Sequence, residues 1–199
     1  MKQNRMERVL QAMREEGLSQ MLIVDPMSVY YLTGVYVAPF ERFYGLYLRT
    51  DGKHKYFLNR LFTVPEKTGF DHVWYSDTDD AMEIVASYLE KDKKLGVDKD
   101  LRACFLLSLM DKKAADGFVN ASLLIDETRG IKDEEEQEKM RKASLINDQA
   151  MARFKGLIHE GISEKEAADQ MLKIYLDLGA DGFSFEPLVA FGANAADPH

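Results

Sequence analysis

An Asp-Gly pair set between two short apolar runs constrains this chain more than any other feature. Residues 44–49 and 53–58 read as strands, joined by Thr50-Asp51-Gly52. Glycine takes the positive φ that a tight turn needs, so Asp-Gly between two such runs marks a hairpin. Around it, helix and strand patterns alternate. Met6, Val9, Leu10 and Met13 stand at i, i+3, i+4 and i+7, a helical stripe that Gly17 ends with a left-handed cap. Residues 21–25 read as a buried strand, and Pro26 opens a short helical turn that runs to Gly34. Further strands are expected at 72–75, 94–98 and 118–125. Helices are expected from a cap at Asp79 or Asp80 to about Glu90, and over 101–115. This alternation specifies a layered α/β domain, and the hairpin makes its sheet mixed.

The composition changes at the polar segment 126–133, which places a domain boundary there. The expected division is a first domain over 1–127, a linker over 128–132 and a second domain over 133–199. The second domain opens with two long helices. Asp133 is placed to cap the first, with Glu134, Glu135 and Glu136 at the positive end of its dipole. Its apolar side carries Met140, Ala143, Ile146, Ala150, Phe154 and Leu157, and Gly161 ends it. Ser163 and Glu166 have the spacing of a capping box, with Ile162 and Ala167 as a hydrophobic staple. Gly179 closes the second helix. Phe183, Phe185, Val189 and Phe191 then alternate as one side of a strand, expected to pack against material outside this chain or against a second copy.

Bulk properties remove several function classes. The net charge of −8 disfavours nucleic acid and anionic membrane as partners. The first residues contain no apolar signal segment, and the longest strongly apolar run, 21–24, is far too short to cross a bilayer. A single cysteine, Cys104, forms no internal disulfide and fits a reducing, cytoplasmic compartment; its apolar context reads as buried packing. The histidines His54, His72, His159 and His199 lack metal-ligand spacing, and no nucleophile elbow, Walker loop or dinucleotide fingerprint is present. The aromatic-rich loop 35–43, with Glu41 and Arg42, reads as core packing or as the lining of a pocket.

Three blocks point further. Asp25-Pro-Met-Ser-Val-Tyr-Tyr-Leu-Thr-Gly34 is the first. Thr128-Arg-Gly-Ile-Lys-Asp133, continuing through Glu136 and Met140 to Ala143, is the second. Gly161-Ile-Ser-Glu-Lys-Glu166, followed by the run from Phe183 through Glu186, Gly192 and Asn194 to His199, is the third. In this order they resemble the creatinase/prolidase family, the Xaa-Pro peptidases with a pita-bread catalytic domain, over essentially the whole chain. The resemblance implies a creatinase-type N-terminal domain followed by an incomplete α+β pita-bread domain.

It also implies a site residue. His199 matches the family histidine that lies near the scissile bond and helps in proton transfer. The family's metal ligands come later in its order, so no position here matches them. Two divalent ions (manganese, cobalt or zinc) belong to the complete enzyme, and none is expected in this chain, which is expected to be inactive alone. Proline-containing di- or oligopeptides are the implied substrates, and a homodimer the implied assembly. A metal-free creatinase-like amidinohydrolase and a non-catalytic binding module share the architecture and remain open at this point.

Overall fold

The computed structural model describes residues 2–196. The chain divides between Ile131 and Lys132 into two compact units. In the first unit the elements run α1 (Gln3–Glu15), β1 (Gln20–Ile23), α2 (Pro26–Thr33), β2 (Gly45–Arg49), β3 (Lys55–Asn59), β4 (Asp71–Tyr75), α3 (Ala81–Tyr88), β5 (Lys94–Val97), α4 (Ala103–Asp111), β6 (Gly117–Asn120) and α5 (Ser122–Gly130). One sheet holds all six strands in the order β4-β3-β2-β1-β5-β6. β2 runs antiparallel to β1 and β3, and the pairs β1–β5, β5–β6 and β3–β4 are parallel. The sheet is therefore mixed. The turn between β2 and β3 has Gly52 at φ 87°, the positive value its Asp-Gly sequence calls for.

Side-chain alternation builds two cores, one on each face. Met21, Ile23, Leu46, Leu48, Tyr56 and Leu58 enter one core with α1, α2 and Ile125 of α5. Leu22, Tyr47, Phe57 and Leu95 enter the other with α3 and α4. A strand sends successive residues to opposite faces, so a sheet covered by helices on both sides needs apolar residues at both parities.

The chain leaves the expected path in two places here. The run 118–125 is not one strand: β6 stops at Asn120, whose Oδ1 accepts the Ser122 N–H at 3.0 Å, and that local turn starts α5. The second half of α5 covers part of the polar segment read as a boundary, because Thr128 and Arg129 are spent on contacts with α1 and α2. Cys104 is exposed rather than buried, since α4 turns Leu109 and not Cys104 toward the core.

The second unit contains α6 (Glu134–Leu157), α7 (Glu164–Asp177) and a 3-10 turn, Gly192–Ala196. Asp133 and Glu136 form a reciprocal capping box at the start of α6. Ser163 caps α7 through the Glu166 N–H at 3.1 Å, and Ile162 and Ala167 are buried around that start. The stretch 183–191 is not a strand. A strand needs a ladder partner, and among the described residues none lies beside it. Phe185 is 78% and Phe191 37% exposed. Among the described residues no helix is long and apolar enough to cross a membrane.

Candidate functional site

The first signature block is accounted for by helix capping. Asp25 caps α2, its carboxylate accepting the N–H groups of Met27 at 3.1 Å and Ser28 at 2.9 Å and the Ser28 hydroxyl at 2.6 Å. Pro26 takes the first helical position, where a missing N–H costs nothing. Gly34 supplies the left-handed end at φ 75°, and Thr33 Oγ1 accepts the Val35 N–H at 3.0 Å. Burial alone would raise the Asp25 pKa; hydrogen bonds from Ser28 and Met27 and the charge of Arg129 outweigh it and lower the value. Arg129 Nη1 lies 3.0 Å from Asp25 Oδ2 and donates to Ser28 Oγ at 2.8 Å. Two blocks separated by about a hundred residues thus meet in one ion pair, a link that no local sequence pattern reveals.

A cleft of about 340 Å³ opens beside this cap. It lies where the chain leaves the parallel neighbours β1 and β5, after which α2 packs on one sheet face and α4 on the other. Crevices at such reversals are where open α/β sheets accept ligands. Asp98, just past β5, is buried and ties the two exits together. Its Oδ2 accepts the N–H groups of Val24 at 2.6 Å and Asp25 at 2.9 Å, and Oδ1 accepts that of Asp100 at 3.0 Å. Burial pushes its pKa above the usual carboxylate range even against those donors.

The loop 35–43 does line the cleft, through Pro39, Phe40, Arg42 and Phe43. Phe40 has a φ of 52°, uncommon for a bulky residue, and its carbonyl accepts from Arg102. Arg42 forks onto Asp77 at 2.9 and 2.7 Å and also meets Glu41 at 2.7 Å. The Asp77 hydrogen bonds raise the already high pKa of Arg42.

The remaining histidines serve local structure. His54 Nδ1 accepts the Arg49 N–H within the hairpin at 3.2 Å, His72 bonds Thr68, and His159 meets the Glu160 carbonyl. His199, the residue singled out from sequence, lies outside the described residues.

A groove of about 780 Å³ runs between α6, α7 and the stretch 179–188. Beyond it, Glu164 accepts the Phe191 N–H at 2.7 Å and the Asn194 side-chain amide at 3.0 and 3.1 Å. Glu164 belongs to the third signature block, yet its spacing from Phe191 and Asn194 is too long for any helical or strand rule to pair them. Among the described residues no group of three or more His, Cys, Asp or Glu side chains is arranged to hold a metal ion.

Residues 5–131 match the family model described as the creatinase/prolidase N-terminal domain, and residues 138–199 match metallopeptidase family M24. An uncharacterized peptidase of Staphylococcus aureus (strain bovine RF122 / ET3-1) is 27% identical over 98% of this chain and 56% of its own length. Among solved structures, a dipeptidase from Pyrococcus horikoshii OT3 is 30% identical, with a TM-score of 0.82 over 98% of this chain and 55% of that one. A recombinant prolidase from Thermococcus sibiricus is 29% identical, with a TM-score of 0.88 over all of this chain and 56% of that one. The chain spans about half the length of the relatives it matches.

Proposed function

Because the chain belongs to the creatinase/prolidase family, we propose that it works as part of a metal-dependent Xaa-Pro dipeptidase or aminopeptidase that cleaves the bond before proline. The observation that carries this reading is likeness in both units at once: 98% of the chain aligns with an archaeal dipeptidase at 30% identity and 100% with a prolidase at 29%. A module sharing only the first domain would not extend through α6, α7 and the segment up to His199.

The bond before proline is a tertiary amide without an N–H, so a peptidase that cleaves it does without a donor that ordinary peptidases recognise. Divalent ions, when bound, supply a nucleophile at neutral pH and polarise the scissile carbonyl. Among the described residues no group of three or more His, Cys, Asp or Glu side chains is arranged to hold such ions. This chain's part is the histidine. His199 would hold or transfer a proton at the reacting bond, a contribution of about 10²–10⁴ in rate. The assembly we propose is a homodimer, and sedimentation of the purified protein tests it.

The experiment is hydrolysis of an Xaa-Pro dipeptide and of a longer peptide with proline second, by the protein as its source produces it, with added manganese, cobalt or zinc. We expect cleavage before proline, lowered about 100-fold or more by His199→Ala. No cleavage with any of the three metals would overturn the assignment. A preference for the dipeptide or for the longer peptide separates dipeptidase from aminopeptidase.

A further inference from the structure

The cleft beside the α2 cap has apolar walls from Pro26, Pro39, Phe40, Phe43 and Phe105, and five further side chains bring polar groups to it. Three of the five are spent on the fold. Asp25 caps α2 and pairs with Arg129. Arg42 is forked onto Asp77 and meets Glu41. The Tyr44 hydroxyl shares a buried hydrogen bond of 2.6 Å with the hydroxyl of Tyr56.

Asp100 and Arg102, both exposed, are the other two. The Asp100 N–H is held by Asp98 at 3.0 Å, but among the described residues its carboxylate accepts no hydrogen bond and joins no ion pair. Arg102 donates from Nη2 to the Phe40 carbonyl, and its other N–H donors are uncommitted among the described residues. The two charges stand two residues apart and do not pair with each other. An apolar-walled cleft therefore carries one unspent anion and one unspent cation. Phe40 points the same way: its ring is 74% exposed, and its φ of 52° is a conformation that a bulky residue adopts only at a cost. The Arg102 hydrogen bond helps to hold it there, an aromatic ring kept in water at the edge of the cleft.

We propose that this cleft binds a free α-amino acid with an apolar side chain. Asp100 receives its ammonium group, Arg102 its carboxylate, and the proline and phenylalanine walls its side chain. A volume of about 340 Å³ is at the small end of ligand sites and suits a molecule of that size better than a nucleotide or a long peptide. An amine alone would leave Arg102 unspent, and a carboxylic acid alone would face Asp100 with nothing to offer it. A ligand bearing both charges answers both side chains.

Titration of the 199-residue protein with L-phenylalanine, followed by amide NMR shifts, tests this. Saturable shifts should appear around 24–26, 39–44 and 100–105, with a Kd of about 1 mM or tighter. Phenethylamine lacks the carboxylate and phenylpropionate lacks the ammonium group, and each should bind about tenfold or more weakly. Asp100→Asn should erase the preference over phenylpropionate and keep that over phenethylamine. Arg102→Gln leaves an N–H for the Phe40 carbonyl and should do the reverse. Loss of folding would erase both preferences together. Shifts that do not saturate by about 10 mM, or that map elsewhere, would overturn the proposal, as would equal binding of either analogue. Binding is read without catalysis, so the result stands or falls apart from the peptidase reading.

Discussion

The two units spend similar amphipathic patterns to different effect. In the first, the sheet faces two helical layers, and side chains as large as Tyr47, Tyr56 and Phe57 are almost completely buried. In the second, α6 and α7 pack on each other, yet among the described residues the buried hydrophobic ones there are Ala150, Ile162 and Ala167. Met140 and Leu145 on α6 are 57% and 61% exposed, and Leu188 is 65% exposed. A helix pair shares one seam, whereas a sheet buries two faces. With burial worth about 25 cal/mol per Å² of apolar surface, the first unit contains most of the stabilisation that burial provides.

Core truncation should break this comparison hardest. Leu46→Ala, in the sheet, should cost about 2–5 kcal/mol in urea unfolding, while Leu145→Ala on α6 should stay within about 0.5 kcal/mol. Equal costs would mean that the second unit hides more surface in solution than its packing suggests. Asp98→Ala should come next, at about 3 kcal/mol, because it strands the N–H groups of Val24, Asp25 and Asp100. Gly96→Ala should cost about 1–3 kcal/mol, because a Cβ there meets Leu18 Cδ2 at 2.5 Å and Ala121 Cβ at 2.9 Å. In the second unit, Ser163→Ala removes the α7 cap and should cost about 1 kcal/mol, read as lost helical circular dichroism.

The smallest effect concerns pH. Burial depresses the His54 pKa below its ordinary 6.5, with Asp51 partly opposing, and its neutral Nδ1 accepts the Arg49 N–H. The folded-state value lies below the unfolded one, so this contribution is complete above pH 6.5 and is lost as pH falls through the folded value. Urea midpoints measured across that window should decline toward acid in the unmodified protein and decline less in His54→Asn.

Local rules carried far in both units. Asp-Gly located the hairpin, Gly17 and Gly34 the helix ends, Asp133 and Ser163 the caps, because each depends on neighbours within a few residues. The same rules misread 183–191. Period-2 alternation tells which side a residue would face in a strand, but not whether a second strand lies alongside. They misread Cys104 because an apolar neighbourhood in sequence does not give the helix its phase against the core. The sequence singled out His199, which lies outside the described residues. The hydrogen bonds of Glu164 to Phe191 and Asn194 were not legible, since they cross a span no periodicity covers.

By itself, then, the amino-acid order determined the mixed α/β class, the hairpin, the caps and the family resemblance, all written in short-range chemistry or in residues read in order. Tertiary structure decided the rest: that Arg129 closes on Asp25, that Asp98 ties together the exits of β1 and β5, and that α6 keeps an open apolar side. Those outcomes depend on which distant groups meet after the backbone has packed, and no spacing rule along the chain carries that information.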